Sequence, residues 1–168
     1  IVRDQAPQGE EAEESGPSAW ETGAWVGFST GSSWEETGRD YGAWFWPQAV
    51  VTDRIRGLAR DLTRGERGRD AQAAALFAHV AGKLGTLADE RGIGSLVPTV
   101  ADSVVERGFG DCKDRVVLLI ALLEAAGVEA LPALVRTAPE DDIAPDFVAP
   151  QEFTHMIAWL PKVGGGVF

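Results

Sequence analysis

The most continuous apolar stretch of the chain runs from Val116 to Ala126, where Val116, Val117, Leu118, Leu119, Ile120, Leu122, Leu123, Ala125 and Ala126 leave almost no polar side. A helix apolar nearly all round is buried on most of its circumference. Gly127 follows where a left-handed C′ residue is expected. Ahead of it, Arg107-Gly108-Phe109-Gly110-Asp111-Cys112-Lys113-Asp114 puts Cys112 at the helix start. Asp111 and Asp114 then read as helix-start acids stabilised by the dipole, with Lys113 adding local positive charge.

The half before this helix patterns as amphipathic helices. Ser33 and Glu36 form a capping-box pair that predicts a helix running toward Trp46 and ended by Pro47. Trp34, Tyr41, Trp44, Phe45 and Trp46 recur at helical spacing, which reads as a core-facing stripe in preference to a ligand-stacking platform. A second helix is predicted from Asp53 to about Thr63, with Ile55, Leu58, Ala59 and Leu62 on one face, before Arg64-Gly65-Glu66-Arg67-Gly68 breaks it. A third covers about Asp70 to Leu84, its apolar side made of Ala74, Leu76, Phe77, Val80, Ala81 and Leu84. His79 within it has no acidic or cysteine companion at helical spacing and reads as structural. Residues 85–98 form a glycine-rich loop, and Thr99 is the expected N-cap of a short helix over Val100 to Glu106.

After Gly127 the pattern changes to strands. Val128 to Arg136 reads as one, with Pro132 marking it as an edge or irregular strand. Phe153 to Leu160 is a second, in which Phe153, His155, Ile157 and Trp159 share a face. Pro161 to Gly166 looks like a turn into a returning strand at Val167-Phe168, and Ala24 to Ser29 alternates well enough for a short strand near the start. Residues 137–151 form a loop whose acids, Glu140, Asp141, Asp142 and Asp146, read as solvated. Helix followed by strands gives an α+β class, with a buried helix packed on an antiparallel sheet and several helices before it.

Composition narrows the function classes. The 168 residues are 45% hydrophobic, enough for one domain with a sizeable core. A net charge of -11 with no basic stripe argues against a nucleic-acid partner. Residues 1–25 are acidic and carry Pro and Gly among few apolar groups, so they read as a linker or the end of an upstream domain. No signal peptide and no membrane span is expected in the chain. It starts without Met and ends just after Gly164-Gly165-Gly166, which reads as a piece of a longer protein, so compartment stays open. One cysteine and two histidines make no structural zinc set; no metal and no cofactor is expected.

The chemistry therefore falls to Cys112 and a histidine. A thiol at a helix start lies on unpaired N–H groups and the positive dipole end, which favour the nucleophilic thiolate. It needs a base, and only His79 and His155 exist. His155, on the strand after the helix, is the better placed. Taken alone, the two residues also fit a buried thiol and a satisfied core histidine.

Gly110-Asp111-Cys112-Lys113-Asp114 and the apolar run behind it resemble the nucleophile helix of the transglutaminase-like superfamily, specifically of its bacterial members. Gly92-Ile93-Gly94 with Pro98, Phe153-Thr154-His155, and Ser29-Thr30-Gly31-Ser32-Ser33-Trp34 match the same group, so the resemblance runs from about Val26 to Phe168. It implies a papain-like core over 26–168, preceded in many relatives by a β-rich domain. By position Cys112 would be the nucleophile and His155 the general base, with the Cys112 backbone N–H as one oxyanion donor. The second donor is usually an upstream side chain, and Leu84 to Glu90 offers no aromatic residue for it. The orienting acid belongs on the strand after the histidine and is expected outside the chain, since Glu152 should face the other side of its strand and Asp146 lies in a loop. The implied function is acyl transfer on protein or peptide amides through a Cys thioester, as a peptidase, deamidase or transglutaminase. The alternative is a catalytically silent scaffold of the same fold.

Overall fold

In the computed structural model, residues 29–31, 33–86, 97–136, 148–150 and 153–163 are described. The acidic segment, the Gly92-Ile93-Gly94 turn, the acids of the 137–147 loop, Glu152 and the residues after Val163 lie outside them, as does all but the end of the expected first strand. The elements in order are α1 (Trp34–Phe45), a 3-10 turn (Trp46–Gln48), α2 (Asp53–Leu62), α3 (Arg69–Lys83), β1 (Gly85–Thr86), α4 (Ala101–Arg107), β2 (Phe109–Gly110), α5 (Cys112–Ala125), β3 (Leu131–Val135) and β4 (His155–Trp159). The class is α+β, as the hydrophobic pattern implies.

The chain divides into two units. The smaller comprises the described residues of Ile1–Thr37 and Ala138–Glu152. In it the Ser29 hydroxyl donates to the Val148 carbonyl, and a Cβ at Gly31 would lie 2.7 Å from Val148 Cγ1, so only glycine fits that approach. Ser33 caps α1 by accepting from the Glu36 N–H at 3.1 Å.

The larger unit, Gly38–Thr137 with Phe153–Phe168, is built on α5. Every residue from Val116 to Leu123 is buried. Helices α2, α3 and α4 pack on it, and so do β3 and β4. Ile55 and Ala59 of α2, Ala73, Leu76 and Val80 of α3, and Ala101 and Val104 of α4 fill the helical side of the core. At about 1.5–3 kcal/mol for each fully buried large aliphatic side chain, α5 is the largest single contributor to that core. It ends in a Schellman motif: the Gly127 N–H donates to the Glu124 carbonyl and the Val128 N–H to the Leu123 carbonyl, each at 2.9 Å, with Gly127 at φ 72°. That motif explains why β3 starts at Leu131 and not Val128, whose N–H is already used.

Several expectations change. On α3 the buried face is Ala73, Leu76 and Val80, while Ala74, Phe77 and Ala81 are exposed. Of the aromatic stripe Phe45 is buried and Trp34 and Tyr41 are half-buried; Trp44 is 51% exposed on the outer face of α1, and Trp46, in the 3-10 turn with Pro47, is 42% exposed. Thr99 does not cap α4, whose N-cap is Val100 without a side-chain bond. The short parallel pair of β1 and β2, Gly85 with Phe109 and Thr86 with Gly110, falls in a stretch with no alternation to read.

The second sheet is antiparallel, with Leu131 opposite Trp159 and Val135 opposite His155. Among the described residues it has two strands, which places Pro132 on an edge strand. The two-residue parity of β4 holds, but its core face is Met156 and Ala158, not the face shared by His155, Ile157 and Trp159. Among the described residues no helix is long and apolar enough to cross a membrane.

Candidate active site

Cys112 is the first residue of α5 and is half-buried. Asp111 caps the helix: its Oδ1 accepts from the N–H of Lys113 at 2.9 Å and of Asp114 at 3.0 Å. Asp114 answers by accepting from the Asp111 N–H at 3.3 Å, closing a reciprocal box. The thiol therefore sits on the helix end with the neighbouring amides tied in place.

Asp114 does more than a cap requires. It is 7% exposed, the one buried charged residue among those described. Its carboxylate accepts from the Thr99 N–H at 2.7 Å and from Arg107 Nη2. Arg107 also donates through Nε to the Phe109 carbonyl at 2.9 Å, through Nη2 to Thr99 Oγ1 at 3.1 Å, and lies 5.2 Å from the centre of the Phe109 ring. A Cβ on Gly110 would lie 2.5 Å from Asp114 Cβ, so glycine there lets Asp114 close over the strand. Gly108, at φ 72°, makes the turn that brings Arg107 back over Phe109.

On the other flank Arg115 donates through Nη2 to the Leu84 carbonyl at 2.5 Å and to Thr86 Oγ1 at 2.8 Å, which fixes β1 against the helix start. Lys113 Nζ lies 2.6 Å from Asp111 Oδ2, so its charge is taken up by the cap and is not free as expected.

Tyr41 of α1 lies close enough to Cys112 and Asp111 for their negative charges to act on it. Its pKa is pushed up to about 12, first by burial and then by those two charges, so the phenol stays a donor through the neutral range. Reading the aromatics of α1 only as packing missed this residue. Proximity to Cys112 depends on how α1 folds back, which helical spacing does not report.

His155 opens β4 and is exposed. Because β4 packs on α5, the strand with the histidine and the helix with the cysteine belong to one layer contact. His79, half-buried on α3, has its pKa lowered by burial and then by Lys83. Among the described residues no three His, Cys, Asp or Glu side chains gather as metal ligands.

No curated protein matches the chain. Among solved structures, the fold resembles the crystal structure of a "putative protease" from Parabacteroides distasonis ATCC 8503, with a TM-score of 0.59 at 15% identity. The match covers 73% of this chain and 24% of that one, so this chain spans about a quarter of that protein's length. Likeness at that identity is one of fold. Residues 56–161, which hold α5, β3, β4 and both candidate residues, match the family model of the transglutaminase-like superfamily, and the chain belongs to that superfamily.

Proposed function

We propose that the chain performs acyl transfer on protein or peptide amides through a thioester at Cys112, with His155 as general base. The observation that carries this is Cys112 on the first turn of a capped, buried helix that packs directly on the strand opened by His155. In the first step the Cys112 sulfur attacks the amide carbon and the carbonyl oxygen becomes an oxyanion. The Cys112 N–H serves as one donor to it, and Tyr41, whose phenol keeps its proton through the neutral range, is the candidate for the second. The C–N bond then breaks, and His155 returns the proton to the leaving amine or ammonia. Water or an amine attacks the thioester to release the acyl group and restore the thiol. The description of the structural neighbour as a "putative protease" inclines the reading toward hydrolysis.

The test is incubation with a glutamine-containing peptide, with and without a primary amine, and mass spectrometry of the products. Cleavage, a glutamate in place of glutamine, or an amine adduct, each absent with Cys112→Ala, is the expected result and sorts peptidase, deamidase and transglutaminase. The second reading, a silent scaffold, draws on the exposure of His155 and its place off the Met156–Ala158 face. It gains if no Cys112-dependent product forms and iodoacetamide labelling rises only near the free-thiol value of about 8.5, unchanged by His155→Ala.

A further inference from the structure

Asp111 and Asp114 bracket Cys112 within the start of α5. Two carboxylates this close oppose the thiolate that the helix end favours. Each, however, has its own cation. Lys113 pairs with Asp111 at 2.6 Å, with side chains 12% and 14% exposed. Arg107 reaches Asp114 from α4, with side chains 31% and 10% exposed. The Lys113–Asp111 pair is largely shielded from water and Arg107 reaches the buried Asp114 from a partly exposed position, so each pair acts at short range, where salt screens it less than it would separated charges.

Other charged or titratable groups lie on the elements around the sulfur. Arg115 is committed to Leu84 and Thr86. The elements packed on α5 carry Arg69, Asp70, His79 and Lys83 on α3, Asp102 and Glu106 on α4, and His155 at the start of β4, and Tyr41 of α1 is near the thiol; Asp102 is tied to Thr52 Oγ1 at 2.5 Å and lies 3.8 Å from Arg54 Nη1. The charged residues of α2 are all exposed, and it turns Ile55 and Ala59 inward.

We propose that Arg107 and Lys113 are positioning residues for the Cys112 thiol, cancelling Asp114 and Asp111 so that the helix N-terminus, and not the flanking acids, sets the field at the sulfur. The inference rests on Cys112 being the nucleophile of the acyl transfer above. It accounts for an acid-rich segment around a thiol: the acids serve the helix cap and the Thr99 contact, and the cations remove their cost to the nucleophile.

The experiment treats the full-length protein with iodoacetamide across pH and reads modification on the Cys112 peptide by mass spectrometry. Arg107→Gln leaves Asp114 uncompensated and is expected to move the midpoint up by about one pH unit. Arg107→Gln combined with Asp114→Asn is expected to restore the wild-type midpoint, and Arg107→Lys to leave it in place. Lys113→Gln, alone and with Asp111→Asn, repeats the comparison at the other pair, where Asn preserves the N-cap. If single and double variants share one midpoint, displaced or not, the proposal is overturned, because a purely structural arginine is not rescued by removing its acid. Thermal melting reports folding, and if Arg107→Gln does not fold the Lys113 pair decides. Failure of the acyl-transfer reading is separate: no Cys112-dependent product forms, while the midpoints still fall in the expected order.

Discussion

At the start of α5 the cysteine is held by residues close to it in sequence: a reciprocal cap between Asp111 and Asp114, the Arg107 bridge to Phe109 and Asp114, and the Lys113 pair. At the start of β4 the histidine is held from farther away. Its strand is placed by pairing with β3 and by Met156 and Ala158 packed toward α5, while the ring itself is exposed. The setting of the proposed nucleophile is thus local, whereas that of the proposed base is tertiary. Damage to the sheet should therefore move His155 while leaving the thiol's surroundings in place.

The sharpest break is chemical. Cys112→Ala should abolish turnover, and His155→Ala should lower kcat by about 10²–10⁴ while product formation stays detectable. Equal, complete losses would mean that the two ends are not as unequal as described. Next in size is Met156→Ala, which removes a buried side chain from the β4 core face. It should cost about 2–5 kcal/mol in denaturant unfolding, and under conditions where it is folded it should slow turnover more than it slows Cys112 alkylation. Parallel losses in both assays would show that the sheet also shapes the thiol.

Gly110→Ala tests the other side. A Cβ 2.5 Å from Asp114 Cβ should cost about 1–3 kcal/mol and shift the alkylation profile of Cys112, with the β3–β4 pairing intact by amide exchange. The smallest effect is spectroscopic. Tyr41 is the one tyrosine of the chain, so tyrosinate absorbance should titrate near 12 in the folded protein, and Cys112→Ser should lower the midpoint. The folded state then holds the phenolic proton above pH 10 while the unfolded state releases it. Stability supported by neutral Tyr41 is full below pH 10 and is lost as pH rises toward 12.

The helices were legible because their signals are local. The capping box at Ser33, the all-round apolar run and Gly127 each describe a few neighbouring residues, and α1, α5 and the end of α5 follow from them. Asp111 and Asp114 are the helix-start acids the sequence implies, and Lys113 brings the positive charge expected beside them, but the Arg107–Asp114 pair is not legible, because Arg107 reaches Asp114 by way of the left-handed turn at Gly108. For the same reason Thr99 looked like a cap and serves Asp114 instead, and Tyr41 looked like packing although it stands near the thiol. The β1–β2 pair carries two residues per strand, too short for any period. Parity on β4 placed His155 and Trp159 on one face, but which face meets α5 depends on the small Ala158 and on Met156, a choice made by packing.

The β3–β4 ribbon also bears on how molecules of this protein behave toward one another. Leu131 and Trp159 stand opposite each other and are both exposed, on a sheet of two strands among the described residues. Strand edges of that kind recruit further strands, and Pro132 blunts only the β3 side by removing a donor. At neutral pH the net charge of -11 keeps copies apart. Acidification weakens that repulsion as the carboxylates protonate, so association through the exposed Leu131 and Trp159 should grow as pH falls into the carboxylate range, with colloidal behaviour set by charge.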